Sequence, residues 1–319
     1  MRYRRLGSSG VQVSAVSLGS WLTYGGTVAE DIAMACVRRA LELGINFFDT
    51  ANVYARGRAE EVLGRALAGV RRDDYVLASK VYFPMGEGPN DSGLSRKHVW
   101  EQVHHSLRRL GVDYLDLYQC HRFDVDTPLA ETCRVMDDLV RQGKIVYWGT
   151  SEWSADQLRD VVALCRAEHW APPISNQPQY SALQRRIERS VLPASTELGI
   201  GNVVWSPLAQ GVLTGKYQTP DDVPEGSRAA GRGRQFMASW LTPETLAAVA
   251  RARHVADEAG CTLSQLALAW CLRQPDVASV IVGATRTSHV DDNAAAADLD
   301  LEPDVLERFG RVLEAVATC

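Results

Sequence analysis

Four side chains in the first 121 positions carry the chemistry of a proton-transfer site. Asp49 ends the apolar run INFFD, Tyr54 follows in the next loop, Lys80 ends YVLASK and His121 ends YLDLYQCH. A phenol with an ordinary pKa of about 10 exchanges its proton poorly at neutral pH. A neighbouring ammonium favours the phenolate and lowers that pKa, and Lys80 is the candidate for this role. Asp49 then keeps Lys80 charged and in place, while His121 hydrogen-bonds and orients a carbonyl oxygen. Together they protonate an oxygen as negative charge develops on it, which suits carbonyl reduction. The hydride has to come from a cofactor, because no side chain supplies one. Taken singly, each residue has a plainer reading: an Asp or Lys at a strand end is commonly solvated or capping, and a lone His is commonly structural. Four of them on three consecutive strand ends point to an active site.

These residues are far apart in sequence, so the fold must gather them. A short apolar run followed by an amphipathic stretch recurs eight times. The runs are Ala15–Gly19, Ile45–Asp49, Tyr75–Lys80, Tyr114–His121, Ile145–Ser151, Ile174–Gln179, Asn202–Pro207 and Ser279–Ala284. The sixth is followed by a helix near Arg189–Leu198, the seventh by a long loop and helices from about Pro243 to Arg273, and the eighth by a last helix from near Ser288. Strands alternating with helices predict a parallel sheet of the α/β class. Eight units in 319 residues predict a closed (β/α)8 TIM barrel, with its active site at the C-terminal strand ends. An open doubly wound sheet is the alternative, but it normally carries G-x-G-x-x-G after its first strand, and LGSWLTYGG is followed by none. No linker or composition break divides residues 1–319, so one domain is expected. RYRRLGSSGVQVS reads as a β-hairpin that closes the bottom of the barrel. The segment Leu208–Trp240, after strand seven, is rich in Gly, Pro and Arg, and loops of that length are usually functional or disordered.

A net charge of −5 argues against nucleic acid, which usually demands a basic face. No apolar run reaches membrane-spanning length, and MRYRRLGSSG lacks the apolar segment of a signal peptide, so a cytoplasmic protein is expected. Seven cysteines form no C-x-x-C pair, which argues against a disulfide framework or a metal site. Adjacent His104 and His105 lie about 100° apart on a helix and read as surface residues. Trp270 and Cys271 read as core. Tyr24, Tyr82, Phe83 and Trp153 follow strand ends and form either an apolar substrate wall or simple packing. Arg232 and Arg234 either cover a cofactor or belong to a mobile polar loop.

The motifs LGSWLTYGG, INFFDTANVYARGRAEEVLG, GLSRKHV, YWGTSEWS, WSPLAQGVLTGKY, GCTLSQLALAWCLR and SVIVGAT resemble those of the aldo-keto reductases. The resemblance covers nearly the whole chain and is especially close to the branch of the voltage-gated potassium channel β subunits and their bacterial relatives. It places the family's catalytic tetrad on Asp49, Tyr54, Lys80 and His121. It also implies a nicotinamide dinucleotide bound without a Rossmann fold, NADPH in the first place and NADH as the alternative. Ser151 and Gln177 then hold the carboxamide, Trp205 stacks on the ring, and Ser20 and Trp21 edge the nicotinamide pocket, Trp21 facing substrate as well. The backbone of Ser206, Pro207, Leu208 and Ala209 follows the pyrophosphate with Lys216, and Arg228 clamps it. Gly283, Thr285, His289, Asp292 and Asn293 line the adenosine end, where a helix start near Ser288 suits a 2′-phosphate. The sequence departs from the family pattern at two positions. Glu152 stands where many relatives have Asn and the channel subunits Arg, and His289 stands where much of the family has Arg or Gln, with Arg286 nearby to compensate. At the fourth tetrad position the channel subunits carry Asn, whereas this chain has His121 and begins at the barrel. Both points favour an enzyme acting on a small carbonyl compound over a cofactor-sensing regulatory subunit. Close relatives assemble as tetramers or larger rings, so a homo-oligomer is expected.

Overall fold

The computed structural model describes residues 1–319, the side chain of Arg232 excepted. The chain opens with an antiparallel hairpin, β1 (Tyr3–Arg5) and β2 (Gln12–Ser14). Eight parallel strands then close a barrel: β3 (Val16–Gly19), β4 (Phe47–Asp49), β5 (Val76–Val81), β6 (Leu115–Cys120), β7 (Ile145–Ser151), β8 (Ser175–Gln177), β9 (Gly201–Trp205) and β10 (Val277–Val282). Each strand pairs with the next, and β10 returns to β3, with Val280 opposite Val16. Ser279 Oγ donates to Ser17 Oγ at 2.9 Å across this seam, between positions 262 residues apart.

The strand period of two decides what faces where. On β4, Phe47 points into the barrel, Phe48 points outward against Tyr75, and Asp49 points back inside. The same alternation turns Ala78 and Lys80 of β5 inward, and Leu117 and Gln119 of β6. The lower interior is apolar, built from Phe47, Val76, Ala78, Leu117, Val203 and Ala278. Leu6 and Val13 of the hairpin join this cluster and fill its N-terminal mouth. The hairpin is fastened there by Ser8 N–H to Gly199 O (2.8 Å) and by Arg4 Nη1 to Val277 O (2.8 Å). Gly7 has φ +61°, and a Cβ on it would lie 2.3 Å from Gly199 O, so only glycine fits this approach.

The outer ring holds α1 (Glu30–Glu42), α2 (Arg58–Leu67), α3 (Arg96–Leu110), α4 (Leu129–Arg141), α5 (Ala155–Ala167), α6 (Val191–Leu198), α7 (Pro243–Glu258), α8 (Leu263–Leu272), α9 (Thr287–Ala295) and α10 (Pro303–Glu314). Local sequence starts several of them. Ser154 and Thr262 form capping boxes with Gln157 and Gln265, and Ser95 accepts from His98 N–H. Helix α8 is apolar nearly all round because α7, α9 and α10 cover it. The chain end corrects the sequence reading: the expected last helix near Ser288 is α9, and it is followed by a second helix, α10. The break is the stretch DLDLEP, after which Pro303 takes the first turn of α10, where its missing N–H costs nothing.

Candidate active site

The carboxyl ends of β4, β5 and β6 bring the four predicted residues together. Lys80 is fully buried, and its Nζ donates to Asp49 Oδ1 (2.5 Å), Thr50 O (2.8 Å) and Tyr54 Oη (3.3 Å). Tyr54 begins a short turn in which Ala55 and Arg56 both have positive φ, a strained backbone that swings the phenol over the barrel. The imidazole of His121 stands 5.7 Å from the Tyr54 ring, centre to centre.

The electrostatics differ in sign from the expectation for the phenol. Burial raises the Tyr54 pKa above its ordinary value; Lys80 pulls it down, and Asp49 opposes Lys80. Burial of the phenol dominates, and Lys80, already paired with Asp49 at 2.5 Å and 3.3 Å from the phenol, does not reverse it. Tyr54 is therefore a protonated donor at neutral pH. Burial, with the charges of Lys80 and Arg122, holds His121 well below the usual imidazole range, so it is neutral. Its Nδ1 is buried without a partner among the described residues.

A polar layer supports the pair. Gln177 Nε2 donates to Asp49 Oδ2 (2.9 Å), and Gln119 Nε2 reaches the same oxygen at 3.4 Å. Ser151 Oγ donates to Gln177 O (3.0 Å), and Ser20 Oγ to Thr50 Oγ1 (2.8 Å). Gln119 was not anticipated, although the signal was legible: it precedes His121 by two positions and so shares its strand face.

Aromatic rings wall the cleft above. Trp21 lies 6.5 Å from Tyr54, 5.9 Å from Trp205 and 5.0 Å from Phe236. Phe83 stands edge-on to His121 at 4.9 Å, with Tyr82 behind it at 5.2 Å. Two expected wall residues lie elsewhere. Tyr24 is 2% exposed and packs into the core beside Cys36, and Trp153 is 2% exposed and packs on Phe123. Each follows a strand end, but the chain folds its ring down among the helices. Phe236, which sequence reasoning missed, comes from the long loop.

That loop, Leu208–Trp240, is a chain of short 3-10 turns over the barrel mouth. Its start is strained: Ser206, Ala209 and Gln210 have φ of 56°, 46° and 60°. Pro207 is buried and Leu208 half-buried between them. Gln210 bonds both Ser206 Oγ and the Arg228 guanidinium, and Arg228 lies 5.7 Å over the Trp21 ring. Lys216 and Arg286 sit near enough that partial burial, then Arg228 and Arg286, lower the Lys216 pKa. Among the described residues none of these three cations has an acidic partner within 4 Å. A Cβ on Gly283 would lie 4.0 Å from Arg228 Nη2. Thr285 Oγ1 meets His289 Nδ1 at 3.3 Å, and burial, with Arg286 and Lys216, lowers the His289 pKa. Asn293 is buried, and Asp292 binds Thr262 and Gln265 at the start of α8. The expectation for Arg232 lies outside the described residues, and Arg234 turns to Pro220 O (3.3 Å).

Glu152 has φ +60°, and its Oε1 accepts from Trp205 Nε1 (2.8 Å) and Gln179 N–H (2.6 Å). The carboxylate thus fixes the indole plane, which sequence alone did not disclose.

Known proteins are similar to this chain in sequence. The aldo/keto reductase family model matches residues 15–314. A "Probable voltage-gated potassium channel subunit beta" of Arabidopsis thaliana is 43% identical over 99% of this chain and 97% of its own length. A protein of the same description from Oryza sativa is 42% identical, with 99% and 97% covered. The buried Asp–Lys pair, the phenol bound to it and the neutral imidazole thus stand in a barrel whose sequence matches that family almost throughout, and the chain belongs to the aldo/keto reductase family.

Proposed function

We propose that the protein is an NADPH-dependent reductase of aldehydes and ketones, acting through residues 1–319 as one domain. The observation that carries this is the Lys80–Tyr54 contact of 3.3 Å beside a neutral His121, under an aromatic wall. Lys216, Arg228 and Arg286, gathered without acidic partners, fit the phosphates of a dinucleotide. Arg286 and His289 fall to the 2′-phosphate, which favours NADPH over NADH. Trp205, held by Glu152, would hold the nicotinamide together with Trp21, Ser151, Gln177 and Ser20. The cofactor supplies the hydride when bound. His121 Nε2 orients the carbonyl oxygen, and Tyr54 Oη gives its proton to that oxygen as charge develops there. Lys80 stabilises the phenolate left behind, and Asp49 holds Lys80 in place. Phe83, Tyr82 and Phe236 exclude water from the reacting carbon.

The test is NADPH oxidation with a panel of aldehydes and α-dicarbonyls, with NADH in parallel, for wild type and Tyr54→Phe. Turnover that falls about 10²- to 10⁴-fold in the variant supports the reading. Failure to bind either dinucleotide overturns it. A second reading, a cofactor-sensing regulatory subunit, is favoured by the description of the relatives at 42–43% identity. Tight NADPH binding with negligible turnover selects it. No helix is long and apolar enough to cross a membrane, and we propose a cytoplasmic homo-oligomer, to be tested by fractionation and light scattering.

A further inference from the structure

We propose that Arg122 makes this site selective for carbonyl compounds that carry a carboxylate a few bonds from the reacting carbon. The inference rests on the reductase reading and names its substrate class. Arg122 follows His121 directly, and its Nη1 donates to His121 O at 2.5 Å. Its guanidinium carbon lies 5.4 Å from the centre of the Phe83 ring, and that ring lies 4.9 Å from the His121 imidazole. The cation is therefore pinned at the rim of the cleft by two contacts, neither of which neutralises it. Among the described residues, no carboxylate lies within 4 Å of it. The nearest acid in sequence, Asp124, is occupied by Leu94 N–H (2.7 Å), Asp126 N–H (3.0 Å) and Thr127 Oγ1 (2.7 Å).

The charge of Arg122 still reaches the chemistry. It is among the causes that lower the pKa of His121 and that pull on the Tyr54 phenol. Lys80, the other cation here, is matched by Asp49. Arg228 lies over Trp21 and groups with Lys216 and Arg286. A guanidinium has five N–H donors in a planar fork, and a carboxylate accepts two of them side by side. With Phe83, Tyr82 and Trp21 as apolar walls, an aldehyde reaching Tyr54 and His121 lays its apolar body along the rings and its far end against Arg122.

The test is a matched pair of substrates, para-carboxybenzaldehyde and its methyl ester, with NADPH. Wild type is compared with Arg122→Gln and Arg122→Lys. The ratio of the two kcat/KM values cancels any change that affects both substrates, including a shift at His121 or a loss of folded protein. Wild type should prefer the acid by about tenfold or more. Arg122→Gln should bring the ratio to about one through KM, Arg122→Lys should keep part of it, and salt should shrink the wild-type ratio. A ratio near one in wild type, or an unchanged ratio in Arg122→Gln, overturns the proposal. If neither aldehyde turns over, the reductase reading has failed instead. Calorimetric titration with benzoate and benzamide then tests Arg122 alone. Tighter benzoate binding that disappears in Arg122→Gln supports it, and equal binding refutes it.

Discussion

Replacing Asp49 with Asn removes one charge and almost no volume. Lys80 is 0% exposed, and its remaining partners, Thr50 O at 2.8 Å and Tyr54 Oη at 3.3 Å, carry no full negative charge. Stranding a buried charge in this way costs about 3–5 kcal/mol, a large share of an ordinary folding stability of roughly 5–15 kcal/mol. The pH dependence gives a sharper signature. In the wild type, burial lowers the Lys80 pKa, but Asp49 and Tyr54 outweigh it and hold it above its ordinary 10.5. A base raised in the folded state contributes stability that is fully present below 10.5 and is lost as pH rises through the folded value. This group therefore leaves wild-type stability level from pH 6 to about 10. In Asp49→Asn, burial becomes the dominant influence and the folded pKa drops below the unfolded one. Between the two values the unfolded chain binds more protons, so stability now rises with pH. Urea unfolding, followed by tryptophan fluorescence from pH 6 to 10, reads both effects. At pH 7 the variant should lose about 3–5 kcal/mol and recover part of it by about pH 9.5. Asp49→Asn/Lys80→Met, which removes both charges, should be more stable than Asp49→Asn alone. A loss under about 1 kcal/mol at pH 7, or a variant as level with pH as the wild type, refutes the reasoning.

Because burial raises the Tyr54 phenol above 10, kcat/KM for reduction of a neutral aldehyde should hold level to about pH 9 and fall only above 10; an apparent pKa between 7 and 8 in the profile contradicts this. Glu152→Ala leaves the donors of Trp205 and Gln179 unpaired, a loss of about 1.5–3 kcal/mol that should weaken NADPH about 10- to 150-fold in a fluorescence titration. Glu152→Gln keeps an acceptor and should stay within about threefold; if it matches the alanine variant, charge matters rather than orientation. Gly7→Ala forces a Cβ to within 2.3 Å of Gly199 O at φ +61°, and its urea midpoint should fall by the equivalent of about 2 kcal/mol or more.

The barrel was legible because its eight strands are short, apolar and separated by helical patterns, and because strand ends have a known functional polarity. Parity did the rest: once Phe47 is inside, Asp49 is inside as well. What escaped the sequence depends on where side chains travel after a strand ends. Tyr24 and Phe83 both follow strand ends, yet one ring drops into the core and the other reaches His121. The residues next to them do not distinguish them, since the choice depends on what each ring packs against, Cys36 of α1 for Tyr24 and His121 for Phe83. Phe236 was missed for the same reason, arriving at Trp21 from a loop without a hydrophobic period. The sign of the Tyr54 shift is set by burial of the phenol against an ammonium that is already paired at 2.5 Å and lies 3.3 Å away, and no spacing encodes either.

The seam between β3 and β10 bears on how the protein is made. Ser17 finds its partner Ser279 only after 262 further positions have been joined. On the ribosome, the first barrel strand therefore emerges with one edge of unpaired backbone N–H and C=O groups that no earlier segment can cover. Pairings of such range form late and slowly, and chains awaiting them are prone to aggregate. The hairpin waits too, since Arg4 is fastened to Val277 and Leu6 packs beside Ala278. A nascent chain arrested before β10 should accordingly remain protease-sensitive and chaperone-bound, with compact structure appearing in one step once that strand is released.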